Sequence, residues 1–318
     1  MTAPLILLGY ALVVSTAGAR WLQHLKWPQR SPGLGILVWQ ALSGSVVLSV
    51  VLAGTALALP TLPVTTGLAD LLHACALAVQ AHYATPGGAA VAVAGATLAT
   101  AVIGRVAYCM VAGWSVTRRL QTVQLGGLAL VARRHVATGA MVLQHHTPAV
   151  YCMPGRGGEV VLTTAALDAL NGPEVAAVFA HERAHMRRRH DIVLGAASAL
   201  RAAFPFIPLF GIAKVQSQEL VEMHADDVAS RSSDRRVLAT ALVRLAGATH
   251  PVGTLGAGGD CALARVRRLT NPVESLGMAR SVLAVTAAVA VVVMPLLIGA
   301  APAVAAAAMD YCPVGFPA

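Results

Sequence analysis

The sequence predicts an α+β chain: a multi-pass helical membrane protein of about four transmembrane helices, with a polar domain of helices and a small antiparallel sheet inserted between the third and the fourth. Three observations carry this expectation. The 318 residues are 57% hydrophobic and only 12% charged, with mean hydropathy +0.69, too apolar for one soluble domain. Nearly uncharged runs cover Ala3–Ala19, Leu34–Leu59, Ala89–Trp114 and Ser281–Ala308. The last three exceed the roughly 20 residues that cross hydrocarbon, and the first lies at the short end of the ~17–25 range. Between Ser115 and Arg280 stand 19 of the 23 Lys and Arg and 12 of the 14 acids, a local balance of +7. The chain divides accordingly into a three-helix membrane region, 1–114, a polar domain, 115–280, and a last transmembrane helix with a short tail, 281–318.

The first run ends in Ala17-Gly18-Ala19, which resembles a signal cleavage site, but no Lys or Arg precedes it, whereas Arg20, Lys26 and Arg30 come after it. That polarity fits an anchor. The same cations set the orientation, because short loops rich in Lys and Arg stay in the cytoplasm. The amino terminus is then outside the plasma membrane. The loop from Thr61 to Gly88, with Asp70 its one charge, is external, the polar domain cytoplasmic and the C-terminus outside. Arg105, inside the third span, is expected to snorkel to the cytoplasmic headgroups. A pI near 10.0 suits a domain beside an anionic leaflet. It does not suit nucleic-acid binding, because the arginines are dispersed and no aromatic residues interleave them. Of the five cysteines, Cys75 and Cys312 fall on the outer side, where they could form a disulfide; Cys152 and Cys261 read as reduced packing residues, and no C-x-x-C spacing marks a zinc cluster.

Within the polar domain, short apolar pieces at Met141–Leu143, Ala149–Cys152 and Val160–Leu162 are separated by turn-formers, which predicts three strands in an antiparallel sheet. Thr163 or Thr164 caps a helix over Ala165–Leu170. Asn171-Gly172-Pro173-Glu174 supplies a cap, a first-turn Pro and a first-turn acid, so a second helix starts near Pro173. The apolar stretch Asp191–Ala213, with Phe204, Phe206 and Phe210, cannot be a single crossing without stranding the rest of the domain on the far side of the bilayer from His185. It is a re-entrant hairpin, an interfacial segment or a core element, and Arg201, Pro205 and Pro208 favour the last two. Glu219–Asp227 reads as a further helix.

The second helix carries His181-Glu182-Arg183-Ala184-His185. Two imidazoles four residues apart project about 40° from each other on one face and can share one ion, with a carboxylate beside them. With 11 His and six Glu in the chain, chance supplies this pattern about 0.007 times. Zinc in a catalytic site takes three protein ligands and leaves a position for water. Glu222 is the expected third ligand, with Glu219 and His224 as alternatives. Asp226, one turn beyond Glu222, suits a role accepting the free ring N–H of a ligating His. Glu182 is the expected catalytic base. His145, His146 or His190 are candidates to stabilise an oxyanion, and the sheet edge near Ala149–Met153 is a candidate to hold an extended peptide by strand addition.

These residues, with the flanking spans, resemble the membrane metallopeptidases typified by the BlaR and MecR β-lactam sensor-transducers and, more distantly, the HtpX and CAAX-prenyl-protease gluzincins. The likeness is most specific from Tyr151 to Asp227, and Arg265-Val266-Arg267-Arg268-Leu269 also looks like the family's segment before its last span. The resemblance implies a zincin-like protease domain, Zn2+ on His181, His185 and Glu222, Glu182 as base, and four transmembrane helices. The penicillin-binding sensor of the full-length receptors has no counterpart in these residues.

The expected function is a membrane-anchored zinc metalloendopeptidase acting on a cytoplasmic or membrane protein, a transcriptional repressor or the chain itself. Two alternatives stay open: a non-catalytic zinc-containing signal transducer, and a quality-control protease for membrane proteins. The partners expected are a protein substrate and the lipid bilayer, with no nucleic acid.

Overall fold

A computed structural model describes residues 2–58, 88–134, 139–153, 159–245, 259–271 and 276–308. Cys75, Cys312, most of the loop Thr61–Gly88 and the turn at 154–158 lie outside the described residues.

Among the described residues four helices are long and apolar enough to cross a membrane: Thr2–Gln23, Pro32–Ala58, Gly88–Leu128 and Met278–Ala301. The first, α1 (Thr2–Gln23), contains a π-helical turn at Val14–Gly18. The Ser15 and Thr16 hydroxyls bond back to the Leu12 carbonyl there (3.1 and 2.7 Å), the local competition that loosens a helical ladder. After a short helix α2 (Trp27–Arg30) comes α3 (Pro32–Ala58). Helix α4 (Gly88–Val131) contains the third apolar run and continues 17 residues past its end at Trp114. Nothing in Ser115–Val131 stops a helix, and Arg118 stacks 3.9 Å over the Trp114 ring one turn back. At 44 residues it is about 66 Å long. It carries Leu125 and Leu128 directly into the polar domain. Helices α3 and α4 meet at Gly54 and Gly95, where a Cβ on either would come within 2.7 Å of the other's carbonyl oxygen.

The sheet has four strands, β1 (Arg133–Arg134), β2 (Met141–Leu143), β3 (Val150–Met153) and β4 (Glu159–Thr163), in the order β1-β2-β4-β3. It is mixed, which corrects the expected antiparallel arrangement: β4 runs parallel to β2 and antiparallel to β3. The chain passes from β2 to the far edge and returns through the middle, so β4 re-enters in the direction of β2. The extra strand β1 has no apolar pattern to announce it; Arg134 pairs with Glu159 across the sheet at 2.8 Å. One face of the sheet packs on the end of α4, the other on α5 (Thr164–Ala169), α6 (Gly172–Arg187) and α9 (Arg235–Leu245).

The stretch Asp191–Ala213 is a helical hairpin, formed by α7 (His190–Ala203) and the start of α8 (Pro208–Ala229). Its inner residues Leu209, Phe210 and Ala213 are buried against Trp39, Leu42 and Val46 of α3, so it is also core. A hairpin returns the chain to the side it left, which keeps Glu222 on the side of His185. Arg105, expected to reach the headgroups, donates from Nε to the Ala203 carbonyl at the C-terminal end of α7 (3.2 Å). A cation at that end also meets the negative pole of the helix. Helix α10 (Gly259–Thr270) then packs on α9 and α8, and α11 (Met278–Ala308) on α3 and α1.

Candidate metal centre

Helix α6 begins with the predicted cap. The Asn171 side chain accepts from the Glu174 N–H (3.0 Å), the Glu174 carboxylate accepts from the Asn171 N–H (2.9 Å), and Arg244 of α9 pairs with Glu174 at 2.8 Å. Two turns on, His181, Glu182 and His185 are buried. Helix α8 lies across α6, with Ala225 and Ala229 wholly buried, and brings Glu222 to both imidazoles.

The three expected ligands converge. His181 Nε2 and His185 Nε2 are 3.1 Å apart, and the Glu222 carboxylate oxygens lie 3.5 Å from the first and 3.6 Å from the second. A tetrahedral ion with bonds of about 2.0–2.1 Å separates its ligands by about 3.3–3.4 Å, so the donor set fits a zinc-sized cation. Glu219 and His224 are not in this cluster. Glu219 instead accepts a hydrogen bond from Gln216 (3.4 Å).

The surrounding hydrogen bonds orient the rings. Asp226 Oδ1 sits 3.0 Å from His181 Nδ1, the expected contact, which holds the Nδ1 proton and makes Nε2 the atom aimed at the ligand cluster. Behind His185, His190 Nδ1 faces His185 Nδ1 at 3.0 Å, and His190 Nε2 faces His224 Nδ1 at 3.1 Å. One consistent set of protons runs along this chain: His185 Nδ1–H donates to His190, whose Nε2–H donates to His224. His185 Nε2 is again left free to ligate. His190 therefore lies behind His185, on the side away from the ligand cluster. His145 and His146 are exposed, and His145 accepts from the Thr147 N–H at 3.1 Å.

Arg265 of α10 is the residue sequence reasoning missed. Buried, it donates from Nε and Nη2 to the two oxygens of Asp226 (2.8 and 2.7 Å), and its Nη1 lies 2.9 Å from Glu222. Its neighbour Arg268 grips Asp227 in the same bidentate way, at 2.7 Å on each side. Asp227 is thus paired with α10. The one sequence signal for this was the basic run Arg265–Arg268, which locates a segment but not a role.

Electrostatics follow from this packing. Burial disfavours the charge on Glu222, but His181 and Arg265 outweigh it and hold its carboxyl down at about 2; Asp226 is likewise held below the carboxylate range, mainly by Arg265. Burial, then the charge on His181, pushes His185 down to about 3, toward the neutral ring a metal needs. Burial lifts Glu182 to about 7, and one of its oxygens is buried without a hydrogen-bond partner among the described residues. Cys152 of β3 lies against that carboxyl, and burial with the nearby carboxylate pushes its thiol well up. β3 is the edge strand, as expected, but all four of its residues are buried. Two ionised carboxylates facing two imidazoles, beside an acid with an orphaned oxygen, are a donor set for a divalent cation and a water.

Residues 117–255 match peptidase family M48, a family of metal-dependent peptidases. The matched stretch contains all three candidate ligands, Glu182 and Asp226, and it supports a metallopeptidase. No curated protein and no solved structure matches the chain.

Proposed function

We propose that this chain is a membrane-anchored zinc metalloendopeptidase that hydrolyses peptide bonds in a cytoplasmic or membrane protein. The observation that carries the reading is the meeting of His181, His185 and Glu222 from two helices, with the Glu182 carboxyl buried beside them and one of its oxygens without a partner among the described residues. A zinc ion held by His181, His185 and Glu222 would supply Lewis-acid polarisation of a carbonyl and acidify a water toward pKa ~7. Glu182, whose carboxyl lies beside the ligand cluster with a buried oxygen facing no partner among the described residues, would take the proton of the attacking water and return it to the leaving nitrogen. Asp226 holds the His181 ring in the ligating tautomer, and Arg265 holds Asp226 and Glu222 in place.

The cytoplasmic placement of the domain rests on Arg20, Lys26 and Arg30, and the fold supports it: Arg268 donates to the Gln29 carbonyl (3.1 Å), so the basic link between α1 and α3 lies against the peptidase domain. The likeness to the BlaR and MecR transducers makes a repressor, or the chain itself, the first substrate to try. Glu182→Gln keeps every metal ligand. It should retain about one zinc per chain and lose cleavage by roughly 10²–10⁴-fold. Cleavage at the wild-type rate in a preparation free of other proteases would overturn the mechanism.

A further inference from the structure

Away from the metal centre, α1, α3 and α11 enclose a cleft of about 710 Å³. Its walls are apolar: Leu22, Val38, Leu42, Leu283 and Val291. Its mouth is not. Lys26, Arg30 and Arg280 line it there, with Trp21 and Trp27 beside them, and among the described residues no Asp or Glu contributes. Among the described residues none of these three cations is paired with a carboxylate. Exposed cations close together repel one another unless an anion joins them.

The dimensions point the same way. From Arg280 at the mouth to Val291 is eleven helical residues, about 16 Å, against about 15 Å for half of a hydrocarbon core of ~30 Å. At the level of Val291, the deepest lining residue on α11, the Tyr10 hydroxyl of α1 donates to the Val291 carbonyl at 2.8 Å. The cleft therefore has the length of one leaflet's acyl chains, a positive headgroup end and tryptophans at the level where they anchor in bilayers.

We propose that this cleft is a binding site for an anionic phospholipid, with an acyl chain between α1, α3 and α11 and the phosphate against Lys26, Arg30 and Arg280. The inference rests on the four helices crossing a membrane, and not on the metal site or its activity. Its occupant is a lipid, because the charge lies at one end of an apolar trough and not along it.

The test uses the full chain in nanodiscs of phosphatidylcholine doped with phosphatidylglycerol carrying a photoreactive tail, with crosslinks mapped by mass spectrometry. Labels should concentrate on α1 and α11 and be chased by unlabelled phosphatidylglycerol, but not by phosphatidylcholine or inorganic phosphate. Combining Lys26→Gln, Arg30→Gln and Arg280→Gln should weaken occupancy on the order of 100-fold, about five-fold per cation. Ala284→Trp, which fills the trough, should remove the label there while leaving it elsewhere on the spans. Labels spread evenly around the helices, an equal chase by both lipids, or an unchanged pattern in Ala284→Trp would each overturn the proposal. Should a variant fail to fold, the chase on the unaltered chain decides alone.

Discussion

Helix α6 delivers His181, Glu182 and His185 from a single turn, whereas Glu222, Asp226 and Arg265 reach the same place from two other helices, α8 and α10. The first half is fixed by helical geometry and a capped end. The second is fixed by ion pairs taken out of water, where an acid without its partner costs far more than it does at the surface. Damage to the first half should therefore remove chemistry and spare the fold, while damage to the second should reach both.

The largest expected effect treats the halves alike. His185→Ala and Glu222→Ala each remove a ligand, so bound zinc should fall from about one per chain to nearly none. Cleavage should drop by more than the 10–100-fold typical of losing an outer partner. A chelator should reproduce the loss, and added zinc should restore the unaltered chain alone. Equal zinc in His185→Ala and the parent, measured by elemental analysis, would break the assignment of the first half.

Arg265→Met separates the halves. It leaves Asp226 and Glu222 buried without their shared cation, a loss of about 3–5 kcal/mol in comparable buried pairs. Thermal melting of the purified chain should fall clearly in Arg265→Met and stay near the parent in Glu182→Gln. Arg265→Lys should recover only part of it, since one ammonium cannot make the bidentate bonds to Asp226. Equal melting in Arg265→Met and the parent would mean that the ion pairs do not hold the second half.

A smaller, chemical effect belongs to Asp226→Asn. The amide can still accept from His181 Nδ1–H but loses the charge that fixes the tautomer, and Arg265 keeps one acid, Glu222. Zinc affinity should fall by about 10–100-fold, read by competition with a chromogenic chelator. An unchanged affinity would leave Asp226 as a partner for Arg265 only.

The same contrast explains what could be read in the sequence. His181, Glu182 and His185 were legible because four residues of helix bring two rings to one face, a rule that needs no tertiary contact. Glu222 and Asp226 were legible one step less directly, as acids one turn apart on a further helix. Arg265 was not, since 39 residues separate it from Asp226 and no periodicity links two helices that pair only through charge. The strands showed the same limit. β2, β3 and β4 were visible as apolar pieces between turns, but their order and relative direction depend on where the connection after β2 crosses, which is not a local property. Hydropathy placed the third run correctly and missed that its helix goes on to Val131, because it reports where the chain becomes polar and not where the hydrogen-bond ladder ends.

The smallest expected effect tests the support of the first half. Asn171→Ala removes one arm of the capping box and leaves Glu174 paired with Arg244. The cost should be about 1 kcal/mol, within the 0.5–2 range for lost caps. Because His181 lies ten residues from Asn171, the ligand geometry should survive. Melting should fall slightly while zinc content and cleavage hold. A loss of zinc comparable to that in Asp226→Asn would show that α6 is not self-sufficient and that both halves depend on the surrounding fold.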